Sequence, residues 1–294
     1  MSALCYMCPR ECGARRGEGE KGFCGQTDKM LVSRIALHPY EEPPISGERG
    51  SGTVFFCGCS LGCVFCQNKD ISRGSPRGTE YSPEELAEKL LELEANGAHN
   101  VNLVTSAHFA TSVAQTLEIA RKSLKIPVVY NSSGYEKIET LRLLDGLVDV
   151  YLPDFKYYSS ELSEKYSSAP DYAEVATKAL GEMYRQVGEC VYDKEGLLKR
   201  GMIVRHLVLP THRDDSKRVL EHLASILPTD KILLSLMSQY TPDFALDQPY
   251  RELHRRLTSF EYRSVADTAL ELGFDGFFQE RSSAKKDYTP NFKQ

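Results

Sequence analysis

The stretch Thr53–Asn68, TVFFCGCSLGCVFCQN, decides how the rest of the chain is read. Its first four residues, Thr53–Phe56, are β-branched or aromatic and form a short strand. Cys59, Cys63 and Cys66 follow at once, spaced Cys–x3–Cys–x2–Cys. Three thiolates on one short loop can hold three corners of a cubane, whereas an electron-transfer cluster takes four. Three ligands leave one iron open to an outside group, so the cluster becomes a chemical site. Zinc suits the loop less, because structural zinc takes four ligands in paired spacings. Cys57 stands too close to Cys59 to reach the remaining corner and reads as a partly buried neighbouring thiol.

Working outward, the chain alternates strand and helix. Ser82–Pro83–Glu84–Glu85 opens a helix with Ser as N-cap, Pro at N1 and Glu at N3. Leu86, Leu90 and Leu93 mark its buried face and Gly97 ends it. Val101–Val104 is the second strand, and Val113, Leu117, Ala120 and Leu124 line the next helix. Ile126–Tyr130, Val148–Leu152, Ile203–Leu209 and Lys231–Leu236 are strands three to six. Helices are expected near Glu136–Leu144, Asp171–Val187 and around Val219–Leu227, with a hairpin over Cys190–Leu198. Such alternation implies an α/β fold with a parallel sheet, either an open doubly wound sheet or a barrel. In both, chemistry sits at the C-terminal strand ends. Polar residues collect there in this chain: the cysteine loop, Thr105–His108, Asn131–Gly134, Asp154–Lys156, His212 and Ser238–Tyr240.

The cysteine loop is similar to the signature of the radical S-adenosylmethionine (SAM) superfamily, with an aromatic, Phe65, just before the last cysteine. Segments such as MCPRECGARRGEGEKGFCG, EEPPISG, HNVNLVT, VYNSSGYE, DVYLPDFKY and IVRHLVLP resemble iron–sulfur proteins related to pyruvate formate-lyase activating enzyme. The resemblance runs from about Cys5 to Tyr240. It implies a partial (β/α)6 radical SAM barrel over residues 51–240, with a Cys-rich metal-binding extension at 1–50 and a small extension at 241–294 that closes the barrel. It implies an oxidoreductase that binds a [4Fe–4S] cluster at Cys59, Cys63 and Cys66 and chelates SAM on the open iron. Reductive cleavage would then give a 5′-deoxyadenosyl radical that abstracts hydrogen from substrate, the protein supplying binding and orientation.

The resemblance also implies roles for single residues. Phe65 would pack near the adenine, and Asn68 resembles the Asn of the Cys–x–Asn that follows the cluster in activating enzymes. Those enzymes carry Gly–Gly–Glu–Pro after the second strand. Here Thr105–Ser106–Ala107–His108 stands instead, with Ser106 and His108 the groups to receive the SAM amino group. Asn131 and Ser133, where activating enzymes have Asp–Thr–Asn–Gly, would hydrogen-bond ribose or carboxylate. Asp154–x–Lys156 matches the family's Asp–x–Lys. Arg205 is a candidate for the SAM carboxylate, since a guanidinium binds carboxylate through two parallel hydrogen bonds.

Nine cysteines are present, eight of them within the first 66 residues. Clustered close spacing in an enzyme-sized chain without a signal segment points to metal ligation rather than disulfides. The set Cys5–x2–Cys8–x3–Cys12–x11–Cys24 suits a tetrahedral zinc site or a second, fully ligated cluster, and the spacings do not decide between them. Cys190 stands alone and reads as an inert thiol.

A formal net charge of −5, with no run of Lys or Arg, gives no sign of nucleic-acid binding. No apolar run is long enough to span a membrane, and the expected location is the cytoplasm. The implied partners are a protein or peptide substrate, including a glycyl-radical enzyme as one such substrate, and a low-potential electron donor such as flavodoxin or ferredoxin. Radical modification of a small molecule or side chain, and a non-catalytic electron-transfer role, are the alternatives.

Overall fold

A strand absent from the sequence reading lies within the Cys-rich N-terminal segment. In the computed structural model, which describes residues 4–73 and 76–278, β1 (Met30–His38) is followed by α1 (Pro43–Ser46) and β2 (Ser51–Phe56). β1 runs antiparallel to β2, and its register shifts between Val32 and Arg34. That irregularity, together with Ser33 and Arg34 inside the run, breaks the alternation by which a strand is recognised. α1 falls on the EEPPISG segment that reads as an irregular lead-in.

After the cysteine loop come α2 (Lys69–Ser72) and β3 (Thr79–Tyr81), which pairs with the far side of β1. Then follow α3 (Pro83–Ala95), β4 (Val101–Val104), α4 (Ala110–Ala120), β5 (Val128–Ser132), α5 (Ile138–Arg142) and β6 (Val150–Pro153). Next come α6 (Ser160–Ser167), α7 (Tyr172–Val187), β7 (Val191–Tyr192), β8 (Leu198–Leu207), α8 (Arg213–Ile226) and β9 (Leu233–Met237). The chain continues through α9 (Ser259–Glu271) to β10 (Gly276–Phe278). The capping box read from Ser82 and Glu85 is present: each residue accepts from the other's backbone N–H.

The strand order is β10-β9-β8-β6-β5-β4-β2-β1-β3. Along this order every pair from β2 to β10 is parallel, and β7, off this path, pairs antiparallel with β8 over the expected hairpin. The six strands expected from the sequence are all found, most displaced by one to three residues. The sheet is unclosed, since no pairing joins β10 to β3 or β1 among the described residues. β10 extends the β9 edge. Gln279, read together with Gly276–Phe278, lies outside the described residues, as does the rest of the chain to Gln294. No helix among the described residues is long and apolar enough to cross a membrane.

The alternation of side chains along the strands separates two cores. Tyr130 and Tyr151 pack outward into the large cluster shared with the helices, alongside Leu86, Leu117, Leu180 and Leu223. Val129, Val150, Leu152, Ile203 and Leu233 form a smaller inner cluster, and Ile45 of α1 packs among them. Ile45 is fully buried, and Asn100 donates to its carbonyl at 2.7 Å. Two residues further along their strands, Asn131, Arg205 and Ser235 share the inner face with Val129, Ile203 and Leu233.

Candidate active site

The inner face opens into a cavity of about 690 Å³ at the C-terminal strand ends. This lies within the usual range for small-molecule and cofactor sites. Its lining includes Cys59, Cys63, Cys66, Phe65, Asn68, Asn131, Ser133, Asp154, Lys156 and Arg205. Ten of the twelve residues singled out around the cysteine loop and strand ends are therefore brought together.

The three thiols form one wall. Ser167 donates to Cys63 Sγ at 3.0 Å, Ser72 to Cys66 Sγ at 3.4 Å, and the Leu61 amide to Cys59 Sγ at 3.3 Å. Burial pushes the Cys66 thiol up to about 11, and the neighbouring Cys59 and Cys63 sulfurs raise it further. Burial likewise raises Cys63, against the opposing pull of Lys156. Buried thiols with elevated pKa give up their protons when a cation compensates the charge, and hydrogen bonds to sulfur suit thiolate ligands. No three His, Cys, Asp or Glu side chains stand in a closed ligand arrangement among the described residues. Here the sulfurs are neighbours that electrostatically sense one another, on the loop that directly follows β2. In chemistry and number this donor set fits three corners of a cubane.

Phe65 packs edge-on against Tyr157, Tyr166 and Tyr240, with ring centroids 6.1–6.4 Å apart. This aromatic packing fixes the loop between Cys63 and Cys66.

Another part of the lining is ionic. Lys156 Nζ donates to Asp154 Oδ2 at 2.6 Å, while Arg205 Nε donates to Asp154 Oδ1 at 2.9 Å. A second Arg205 nitrogen donates to Asn131 Oδ1 at 2.6 Å. Burial alone would raise the Asp154 pKa, but Arg205 and Lys156 outweigh it and hold the carboxyl below its ordinary value. Lys156 also acts electrostatically on Cys63, so the ionic wall reaches the thiols.

Ser106 and His108 are not in the cavity lining. His108 is buried, with Nε2 2.8 Å from the Cys57 carbonyl, and burial pushes its pKa down to about 3. Its ring lies tilted against Phe109, with centroids 4.2 Å apart. Ser106 is fully buried. Thr105 faces the cavity in their place, with a left-handed φ of 60°. A β-branched residue in that region is strained, and such strain concentrates at functional sites.

Two features were not reached by sequence reasoning. Glu41 and Glu42 line the cavity from the segment before α1. Glu41 Oε2 lies 3.7 Å from Arg205 Nη1. Burial, then the adjacent Glu42 charge, pushes Glu41 up to about 7. The pair was hidden because its placement depends on β1, which was missed. The second is Tyr172, whose hydroxyl contacts the Ser133 carbonyl at 2.8 Å, the Asp154 carbonyl at 3.0 Å and the Lys156 amide at 2.9 Å. It ties two strand ends together from the start of α7. A lone Tyr at a helix start carries no sequence signal.

The N-terminal cysteines lie close to one another. Cys8 and Cys24 each sense the charges of Cys5 and Cys12, and Arg16 Nη1 donates to Cys5 Sγ at 3.7 Å. A Cβ at Gly22 would stand 3.1 Å from Cys12 Sγ and 3.6 Å from Cys24 Sγ. All nine cysteines are free.

Comparison with known proteins agrees with this geometry. The family model of the radical SAM superfamily matches residues 53–192. The uncharacterized protein MJ0674 of Methanocaldococcus jannaschii is 33% identical over 281 residues, covering 92% of this chain and 75% of the relative. The crystal structure of methylornithine synthase (PylB) is similar at a TM-score of 0.49 and 15% identity, covering 72% of this chain and 59% of that one. A domain of pyruvate-formate lyase-activating enzyme from Bacteroides vulgatus is similar at a TM-score of 0.40 and 11% identity, covering 58% and 91%. With Cys59, Cys63 and Cys66 placed after the first parallel strand and facing the cavity, the chain belongs to the radical SAM superfamily.

Proposed function

We propose that this protein is an enzyme that cleaves SAM reductively and takes hydrogen from a protein or peptide, activation of a glycyl-radical enzyme being the specific form. One observation carries the reading. The three thiols and the hydrogen-bonded Asp154–Lys156–Arg205–Asn131 cluster line one cavity, with Lys156 acting electrostatically on Cys63. A bound, reduced [4Fe–4S] cluster supplies the electron that splits the SAM sulfonium.

The chain's own residues bind and orient. Cys59, Cys63 and Cys66 would hold the cluster, with hydroxyl and amide hydrogen bonds to the three cysteine sulfurs. Arg205, fixed by Asp154 and Asn131 and with Glu41 3.7 Å from its Nη1, is the guanidinium that would meet a carboxylate in the cavity. Asn68, Asn131 and Ser133 offer neutral partners to amino, ribose or carboxylate groups, and Phe65 offers an apolar wall to the adenine. Tyr40, half-exposed and set edge-on against His38, lines the same cavity. An exposed aromatic at the mouth supports a macromolecular substrate, since aromatic side chains anchor such contacts.

The electron donor in this reading is a flavodoxin or ferredoxin, and the nine free cysteines suit the reducing cytoplasm. Cys5, Cys8, Cys12 and Cys24 form the second metal site of the same reading. Reduced, reconstituted protein given SAM and a candidate glycyl-radical enzyme or peptide should form 5′-deoxyadenosine, and electron paramagnetic resonance should show a glycyl doublet. SAM cleavage with no protein radical on any candidate would reject the activating role.

A further inference from the structure

One side chain of the N-terminal segment, Arg10, gathers the backbone around the cysteine loop. Arg10 Nε donates to the Ser60 carbonyl at 2.8 Å. Its Nη2 donates to the Leu61 carbonyl at 3.0 Å and to the Ser167 carbonyl at 2.8 Å, and Nη1 donates to the Ser168 carbonyl. The guanidinium also sits 4.1 Å over the Phe23 ring and 5.1 Å from the Tyr135 ring. Four carbonyls on two segments are thus gathered by one fork. Ser60 and Leu61 lie between Cys59 and Cys63. Ser167 is the residue whose hydroxyl donates to Cys63 Sγ.

Arg10 is in turn set by the N-terminal cysteines. The Glu11 amide donates to the Cys8 carbonyl at 3.0 Å and the Gly13 amide to the Cys5 carbonyl at 3.1 Å, which closes the turn that carries Arg10. Few large apolar side chains of the segment are buried: Leu4, Tyr6 and Phe23 are all about half exposed, while Ala14 and Arg16 are buried. A second contact runs alongside. Gly58, at φ +86°, leaves room for the Cys24 carbonyl, which a Cβ there would meet at 2.5 Å. The Cys24 end of the segment therefore presses directly on the residue before Cys59.

Resting on the reading above, we propose that a zinc ion held by Cys5, Cys8, Cys12 and Cys24 sets Arg10 as a clamp on the cluster loop. Four thiolates fill a tetrahedral zinc completely, which makes the site structural rather than reactive. Zinc binding orders the turn after Cys8, and this ordering fixes the Arg10 backbone. The guanidinium then holds Ser60, Leu61 and Ser167 where Cys59 and Cys63 can ligate. Arg10 is a positioning residue that touches no cofactor.

The test uses full-length protein reconstituted without oxygen. Zinc and iron are counted per chain, and the rate of iron release to bathophenanthroline disulfonate is followed. Wild type should hold about one zinc and four irons. Cys12→Ser should lose the zinc and release iron about tenfold faster. Arg10→Met keeps an unbranched side chain but removes the donors. It should keep the zinc and release iron about tenfold faster too. The double variant should be no faster than either single one, because both act through one linkage. Arg10→Lys, which keeps the charge without the fork, should behave like Arg10→Met. Thermal melts report folding of each variant. Iron release at the wild-type rate from folded Arg10→Met, a zinc-free Cys12→Ser with an unchanged rate, or eight irons and no zinc in wild type would each overturn the proposal. None of these readouts depends on SAM cleavage, so this proposal and the enzymatic reading fail separately.

Discussion

At the residue scale, Asp154 is the hinge of the ionic wall. Its two oxygens serve two different cations, and its side chain is largely buried. Asp154→Asn would leave Lys156 and Arg205 facing each other without a shared anion. Removing one partner from a buried ionic set costs about 3 kcal/mol. Denaturant titration should show that loss, and equilibrium dialysis should show SAM affinity reduced at least about tenfold. An unchanged midpoint would mean that the wall is solvated and slack.

Glu136 gives a residue-scale pH prediction. Tyr130 donates to its Oε2 at 2.9 Å, and burial raises the carboxyl to about 7. The folded pKa exceeds the ordinary value of 4.5, so the folded state favours the proton. The resulting stability is present below 4.5 and is lost as pH rises to about 7. Glu136→Gln has no proton to release. Its melting temperature relative to wild type should therefore climb between pH 4.5 and 7 and level off above; a flat difference would refute the assignment.

At the element scale, α1 is the plug of the inner face. Ile45 is fully buried among Val129, Val150, Leu152, Ile203 and Leu233. Ile45→Ala should cost about 3 kcal/mol through lost transfer energy and the cavity left behind. It should also disturb Glu41 and Glu42, which enter the site from the same segment. A cost under about 1 kcal/mol in denaturant melts would show that α1 does not support the sheet. Gly134 is a second element-scale constraint: at φ +75° a Cβ would meet the Asp154 carbonyl at 2.3 Å.

The elements also show what the sequence could reveal. Apolar runs bounded by polar strand ends made β2, β4, β5, β6, β8 and β9 legible, because fully buried strands announce themselves by composition. Ten site residues followed, since they sit where those strands end. Ser106 and His108 lie outside the cavity lining because the turn after β4 buries them and leaves Thr105 at the cavity. β1 escaped because its bulge and polar residues break the alternation. Missing β1 concealed Glu41 and Glu42, whose position is tertiary. Tyr172 and Arg10 act through long-range hydrogen bonds to carbonyls, and such bonds leave no local pattern.

At the scale of the whole molecule, the sheet is an open parallel layer with an antiparallel pair on one edge and β10 on the other. The cluster loop follows the first parallel strand, and the ionic wall comes from the strands after it. The central claim is that these two walls serve one reductive cleavage of SAM. Its most direct measurement is 5′-deoxyadenosine formed by reduced, anaerobically reconstituted protein, with iron counted at Cys59, Cys63 and Cys66. The account predicts 5′-deoxyadenosine from wild type, and loss of both the cluster-loop iron and the product in Cys63→Ala. Wild-type protein with a full four-iron cluster at those cysteines that never cleaves SAM would contradict it.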